Sequence, residues 1–276
     1  MPPELWQAAL LGVVQGLTEF LPVSSTGHLI LVPALFGWRG GIVDSLQFDV
    51  ALHLGTLVAL LAVFWRDWLT LAGAALRSLA RRSLADPQAR LGWLIVLATI
   101  PGVVAGLFLE KQVETTLRSP LVVGVAMMLV ALLLAVLDRI GRQTRDEYSL
   151  GAAGAVAVGV GQALALIPGV SRSGSTIATG LGLGLTRASA ARFSFLLSTP
   201  IIAGALAKEA LDVARQGIGG SEAPVFAVGI LTAGVSGYAC IRFLLAYLRT
   251  HSLLPFVIYR LIAGGGVIVL AMIGRI

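Results

Sequence analysis

Residues 5–36 read LWQAALLGVVQGLTEFLPVSSTGHLILVPALF, an apolar stretch that a cluster of Pro, Ser, Thr and Gly interrupts at 22–27. One membrane crossing needs about 20 residues, so this stretch is too long for a single straight span. Residues 150–185 repeat the arrangement, with a similar cluster at 168–174. We therefore predict two broken helices, each made of a helix, a polar turn and a second short helix.

The rest of this 276-residue chain is built largely from further apolar runs, which cover residues 48–65, 93–109, 120–137, 193–207, 223–241 and 253–274. Hydrophobic residues make up 57% of the chain, charged residues only 12%, and the mean hydropathy is +0.91. In soluble proteins about a quarter of the residues are charged. Runs of this length suit helices that cross a hydrocarbon core about 30 Å thick, whereas a barrel shows short alternating segments. We predict an all-α polytopic membrane protein without a soluble domain.

The formal net charge of +6 comes from basic residues that are scattered between the apolar runs. Such a distribution orients membrane spans and indicates no nucleic-acid partner. Cys240 is the only cysteine, so the sequence contains no disulfide framework and no Cys-rich metal site. No basic region precedes the first apolar run, and we expect no cleavable signal peptide.

The two broken stretches resemble each other. When the chain is shifted by 147 residues without a gap, eight positions are identical: Gly12/Gly159, Val13/Val160, Gln15/Gln162, Leu17/Leu164, Val23/Val170, Ser24/Ser171, Gly27/Gly174 and Ile30/Ile177. Each broken stretch is also followed by three further apolar runs. These features indicate an internal duplication within one membrane domain, residues 1–276, with repeats at about 1–140 and about 148–276.

The membrane topology depends on whether the broken helices cross the bilayer. If each returns to its own side as a re-entrant hairpin, the chain has six spans and the second repeat is inverted. One side then carries eleven arginines: Arg66, Arg77, Arg81, Arg82, Arg90, Arg139, Arg142, Arg145, Arg187, Arg192 and Arg249. The other side carries Arg39, Lys111, Arg118, Lys208, Arg215 and Arg275. The positive-inside rule then places both termini outside. If the two broken stretches instead cross the bilayer fully, the chain has eight spans and this argument fails.

Irregular backbone at membrane depth must be buried in protein or line a wet cavity, so the two breaks mark a site. The second short helix of each break offers free N–H groups and a positive dipole end, which suit an anion. Arg172 adds a cation whose planar fork suits phosphate oxygens. The predicted binding residues are Gln15, Ser24, Thr26, Ser171, Ser173, Ser175 and Thr176, although each hydroxyl taken singly is also typical of a helix cap.

Glu19 is a carboxylate well inside an apolar run, on the same helix face as Gln15. Together with Ser25, His28 and Arg172, it supplies the groups for a base, a nucleophile, a proton shuttle and a charge clamp. Alternatively, Glu19 is a ligand for a divalent cation. His53 is a weaker candidate, since an interhelical hydrogen bond explains it as well. Arg260 is interpreted as an ion partner or an interfacial side chain.

Residues 15–28, QGLTEFLPVSSTGH, and 168–176, PGVSRSGST, resemble the two motifs of the undecaprenyl-pyrophosphate phosphatase family, the bacterial bacitracin-resistance membrane proteins. The resemblance covers nearly the whole chain, and the family's functional positions match Glu19, Ser25, His28 and Arg172. The family's first motif begins with Glu or Gln, and Gln15 leaves this chain with one carboxylate there.

The resemblance implies hydrolysis of undecaprenyl pyrophosphate to undecaprenyl phosphate and inorganic phosphate, with Mg²⁺ or Ca²⁺ as cofactor. It places the protein in the bacterial plasma membrane with its site open to the outer face. The reaction recycles the lipid carrier of cell-wall synthesis. The partners are thus the prenyl pyrophosphate lipid and the bilayer. An oligomer is compatible with the sequence, but no feature of the sequence indicates one.

Two other functions share features with this sequence. A lipid-phosphate transporter or flippase could use the same broken helices. A membrane phosphatase with a histidine nucleophile needs a second histidine soon after the Ser-Arg pair, yet none of the three histidines follows Arg172 closely. For the phosphatase function we expect an opening between helices through which the lipid tail reaches the site. We also expect that either a serine or an activated water is the nucleophile.

Overall fold

The computed structural model describes residues 3–38, 41–117, 119–216 and 222–274. Over these ranges the chain forms ten α-helices and no β-strand. The helices are α1 (Pro3–Phe20), α2 (Ser25–Phe36), α3 (Leu46–Arg81), α4 (Pro87–Thr116), α5 (Pro120–Ile140), α6 (Ala152–Leu164), α7 (Arg172–Gly182), α8 (Arg187–Gln216), α9 (Ala223–Tyr247) and α10 (Leu254–Met272).

Six stretches within α3, α4, α5, α8, α9 and α10 are long and apolar enough to cross a membrane. They correspond to the six apolar runs outside the broken stretches, which confirms the predicted all-α polytopic class. The chain is a multi-span membrane protein. The other four helices, α1, α2, α6 and α7, come from the two broken stretches.

Both predicted helix breaks are confirmed. The first lies between α1 and α2, the second between α6 and α7, and each ends in a serine that caps the second helix. Ser24 and Ser171 have φ angles of 79° and 72°, a left-handed conformation that is uncommon for any residue other than glycine. Their Oγ atoms accept hydrogen bonds from the N–H groups of Gly27 and Gly174. The same strained turn is therefore built twice.

The helices pack in a reciprocal pattern: α1 lies against α9, α6 against α4, α3 against α8 and α5 against α10. Glycines permit the closest contacts. A Cβ added to Gly16 on α1 would lie 2.5 Å from the carbonyl oxygen of Ala233, and one added to Gly159 on α6 would lie 2.3 Å from that of Ala98. Small residues let helix backbones approach within a membrane, so these positions hold the first helix of each break in place.

Arg260 on α10 is fully buried and joins the two breaks. Its guanidinium donates hydrogen bonds to the carbonyl oxygens of Pro22 (3.0 Å) and Gly169 (2.9 Å), and also to those of Val170, Met127 and Ala126. The interpretation of Arg260 as an ion partner or an interfacial side chain is therefore wrong. A broken helix leaves carbonyl groups without helical partners, and the guanidinium satisfies them where water cannot.

The far ends of several helices are tied by ion pairs. Arg187 Nε lies 2.5 Å from Asp138 Oδ1, and Arg192 pairs with both Asp67 and Glu147. These contacts join α3, α5 and α8 away from the breaks. Of the residues in the charge count, Arg39, Arg118 and Arg275 and the side chains of Lys111 and Arg215 lie outside the described residues.

Candidate active site

The two breaks share one cavity of about 250 Å³. Its polar wall consists of Glu19, Ser24, Ser25, Thr26, His53, Gln162, Ser171 and Arg172. Its apolar wall comes mainly from the second break and α8: Ala165, Leu166, Ile167, Ile201, Ile202, Ala205 and Leu206. A polar end beside an apolar wall matches a ligand with a charged head and a hydrocarbon tail.

Glu19 is the centre of the polar wall and is only 6% exposed. Its Oε1 lies 2.5 Å from Nη2 of Arg172, and its Oε2 accepts hydrogen bonds from Ser25 Oγ at 2.5 Å and Gln15 Nε2 at 3.2 Å. His53 Nε2 lies 3.7 Å from the same Oε2. Glu19 thus connects a hydroxyl from the first break with a guanidinium from the second.

Arg172 occupies the first position of α7 and faces the cavity. Its Nη2 is taken by Glu19, but its Nη1 is buried and has no hydrogen-bond partner among the described residues. A buried charged donor without a partner is costly unless a ligand supplies an acceptor. An anion in the cavity would satisfy it.

The predicted hydroxyls divide into two groups. Ser25 and Thr26 line the cavity, as do Ser24 and Ser171, whose side chains also cap α2 and α7. The other three are not on the cavity wall: Ser173, Ser175 and Thr176. Ser173 donates to Leu21 O, whereas Ser175 and Thr176 donate to carbonyl oxygens at the start of α7. Ser173, Ser175 and Thr176 therefore stabilise the turns.

The two histidines near the breaks have different surroundings. His28 is not on the cavity wall. Its Nδ1 lies 2.6 Å from Ser24 O, and its Nε2 lies 2.5 Å from the hydroxyl of Tyr259. His53 lines the cavity, and its Nδ1 lies 2.9 Å from the carbonyl oxygen of Asp49. The sequence favoured His28 over His53 because His28 is close to the first break along the chain, and it gave His53 only as a weaker candidate. The structure places His53, and not His28, on the cavity wall.

Gln162 also faces the cavity and was missed as a site residue. It is 4% exposed, and neither its Nε2 nor its Oε1 has a hydrogen-bond partner among the described residues. Its pairing with Gln15 in the internal duplication was the available signal. A buried amide that lacks partners points to a ligand of the cavity.

The residues do not fit a resident metal ion. Across the ranges that the structure describes, no group of three or more His, Cys, Asp or Glu side chains could hold one. Among the described residues, Glu19 is the only carboxylate on the cavity wall. Both of its oxygens already accept hydrogen bonds, and one of them faces the Arg172 cation. Divalent cations need several oxygen ligands, which this donor set lacks.

Comparison with known proteins identifies the family. The family described as "Bacitracin resistance protein BacA" matches residues 8–266.

The chain belongs to the BacA family.

The resemblance that the two motifs indicated is thereby confirmed. Close relatives of this BacA-family chain are named undecaprenyl-diphosphatase. The relative from Desulforudis audaxviator is 49% identical, with 97% of this chain and 98% of the relative covered. The relative from Rubrobacter xylanophilus is 51% identical, with coverages of 93% and 94%, and that from Pelotomaculum thermopropionicum is 46% identical, with 97% of each chain covered. The family match spans both breaks.

Proposed function

We propose that this protein hydrolyses undecaprenyl pyrophosphate to undecaprenyl phosphate and inorganic phosphate, and thereby recycles the lipid carrier of cell-wall synthesis. The names of its relatives support this reaction. The observation that carries it is the placement of Glu19 between Ser25 and Arg172 in a cavity with an apolar wall. A nucleophile, a base and a phosphate-binding cation thus meet beside room for a hydrocarbon tail.

In the proposed mechanism, Ser25 Oγ attacks the terminal phosphorus and Glu19 accepts its proton. The new O–P bond forms as the bond from the terminal phosphorus to the bridging oxygen breaks, and undecaprenyl phosphate leaves. Water then hydrolyses the phosphoserine, which releases inorganic phosphate and restores the serine. His28 does not contact Ser25 in this arrangement, so we assign the base to Glu19.

Arg172 supplies charge stabilisation. Phosphoryl transfer passes through a loose transition state with charge spread over the phosphoryl oxygens, so positioning and neutralisation carry most of the rate. The unpartnered Nη1 of Arg172 is the donor that we assign to a terminal phosphate oxygen. The caps at Ser24 and Ser171 keep the N-termini of α2 and α7 directed at the cavity.

We propose that the divalent cation, Mg²⁺ or Ca²⁺, enters with the substrate. Mg²⁺ in particular keeps waters and binds substrate phosphates with few protein carboxylates, and Glu19 is the one carboxylate that the described part of the cavity wall offers. Such a cation would neutralise part of the negative charge of the diphosphate. The protein itself is then not a metal-binding protein in the absence of diphosphate.

We further propose that the two halves are inverted repeats and that both breaks are re-entrant hairpins. The reciprocal packing of α1 on α9 and α6 on α4 supports this arrangement. In the bacterial plasma membrane, the arginine-rich side would face the cytoplasm, with both termini and the cavity opening at the outer face.

The tail reaches the site between α4 and α8. Gly102 of α4 and Ile201, Ala205 and Leu206 of α8 line the cavity, and Ala205 is exposed to solvent. The lateral opening that we expected for the lipid tail is therefore assigned to these two helices.

Phosphate release from undecaprenyl pyrophosphate by detergent-purified protein tests the function. Wild-type should be active, whereas Glu19→Gln and Arg172→Ala should be folded and inactive. Glu4→Gln and Arg242→Ala, which make the same changes at residues away from the cavity, are the matched controls. Inactivity of folded wild-type with either cation would overturn the proposal. Transport, the alternative function, receives no support from the relatives, which are named for hydrolysis.

A further inference from the structure

The amide of Gln162 has no assigned role in the mechanism above, although it lies on the cavity wall. Both of its polar atoms are buried without a hydrogen-bond partner among the described residues, and the residue is 4% exposed. Native proteins rarely leave a buried amide unsatisfied, and when they do the group has a function to explain it. The amide can donate two hydrogen bonds and accept at its oxygen.

The predicted duplication accounts for the lack of a partner for this amide among the described residues. Gln15, its counterpart in the first half, donates to Glu19 four residues later. The position equivalent to Glu19 in the second half is Leu166, which offers no acceptor. Gln162 therefore has the same place on its helix as Gln15 but has lost the intramolecular partner, and its amide faces the cavity.

The neighbours of Gln162 place its amide relative to the two walls of the cavity. A Cβ added to Gly102 on α4 would lie 3.2 Å from Gln162 Nε2 and 3.3 Å from Ile201 Cδ1. Gly102 and Ile201 belong to the two helices between which we place the lipid tail. The amide thus lies where the polar wall meets the apolar wall.

We propose that Gln162 binds the lipid-linked phosphate of the diphosphate, with Nε2 donating to one of its non-bridging oxygens. This inference rests on the proposed function, which places the terminal phosphate at Ser25 and Arg172. The phosphate attached to the tail must then lie between that group and the apolar wall, next to Gln162. The residue holds the leaving group, and a lipid monophosphate placed at the terminal position for attack cannot make this contact.

The test uses Gln162→Met, which keeps the length of the side chain and removes its hydrogen bonds. A hydrogen bond to a charged group predicts a fall in kcat/KM of about 10- to 100-fold for undecaprenyl pyrophosphate. Inhibition by undecaprenyl phosphate, the product that keeps the lipid-linked phosphate, should weaken by a similar factor. Inhibition by inorganic phosphate, which occupies the terminal position, should stay within about twofold.

A melting experiment separates this role from a structural one. Without ligand, Gln162→Met should melt at the same or a higher temperature than wild-type, because it removes a buried amide that has no partner. With undecaprenyl phosphate added, the variant should gain less in melting temperature than wild-type. A variant that melts lower without ligand, and loses inhibition by both products equally, would overturn the assignment.

Two further variants complete the design. Gly102→Ala keeps the amide but crowds its Nε2, and should reproduce the selective loss of inhibition by undecaprenyl phosphate in weaker form. Gln88→Met makes the same change at an amide that donates to the hydroxyl of Tyr148, outside the cavity, and should leave both inhibition constants unchanged. Inactive wild-type would count against the proposed function, whereas active wild-type with an unaltered Gln162→Met protein would overturn only this inference.

Discussion

Glu19 on α1 and Arg172 on α7 form an ion pair, with 2.5 Å between Oε1 and Nη2, although they lie 153 residues apart. One partner comes from each break, so the polar centre of the cavity is complete only when the two halves have packed together. Ser25 binds the other oxygen of the same carboxylate. The candidate nucleophile and the candidate phosphate ligand are therefore coupled through a single side chain.

This coupling predicts a non-additive effect on stability. Arg172→Ala leaves the buried Glu19 carboxylate without its cation and should lower the free energy of unfolding by about 3–5 kcal/mol. The double variant Glu19→Gln with Arg172→Ala should recover part of this loss, since no unpaired charge remains buried. Denaturation in mixed micelles would measure both, and equal stability of the single and double variants would contradict the ion-pair account.

The same substitution should reduce catalysis strongly. Removal of an arginine that neutralises transition-state charge lowers kcat by about 10³-fold or more. Arg172→Lys should recover only a small part, because an ammonium cannot maintain the Glu19 contact and the second donor at once. Steady-state phosphate release would show this, and near-normal turnover of the lysine variant would exclude the two-donor role.

Ser25→Ala tests the covalent step. If Ser25 is the nucleophile, turnover should fall to background, and rapid quenching of wild-type should trap a phosphoserine at this position. Ser173→Ala is the comparison, because that hydroxyl binds Leu21 O and does not line the cavity, so its effect on kcat should be much smaller. Near-normal turnover of Ser25→Ala would favour an activated water.

Arg260→Met should destabilise the protein more than it alters the chemistry. The change leaves three carbonyl groups of the two breaks, those of Pro22, Gly169 and Val170, without their donor, and each costs about 1–3 kcal/mol when buried. We expect a large drop in the melting temperature of Arg260→Met. The control variant Arg242→Ala should melt close to wild-type. An Arg260→Met protein that melts like wild-type but is inactive would instead assign Arg260 to the reaction.

If the cation enters with the substrate, phosphate release should depend on the cation although the free protein does not bind it. Chelation should abolish phosphate release, and added Mg²⁺ or Ca²⁺ should restore it. Isothermal titration of the free protein with the same cation should show no binding in the micromolar range, because one carboxylate already bonded to Ser25 and Arg172 cannot assemble a site. Tight binding to the free protein would reveal a resident site.

Much of the fold could be predicted from local features of the sequence. The six long apolar runs and the two clusters at 22–27 and 168–174 specify spans and breaks, because hydropathy and the effects of Pro, Gly and Ser act within a few residues. Glu19, Ser25 and Arg172 stood out for the same reason, as polar residues at or beside a break inside apolar segments. The duplication was predicted from residue identities alone.

Tertiary structure alone decided which of these residues meet. His28, near the break along the chain, binds Tyr259, while His53, which lies far along the chain, reaches the cavity. The carbonyl groups of both breaks that surround Arg260 likewise follow only from the packing, and its sequence position indicated an ion partner or an interfacial side chain instead. Contacts between distant segments depend on how helices pack, which residue type and spacing do not encode locally. For that reason the sequence by itself determined where the chain breaks, and the packing of its two halves determined what faces the cavity.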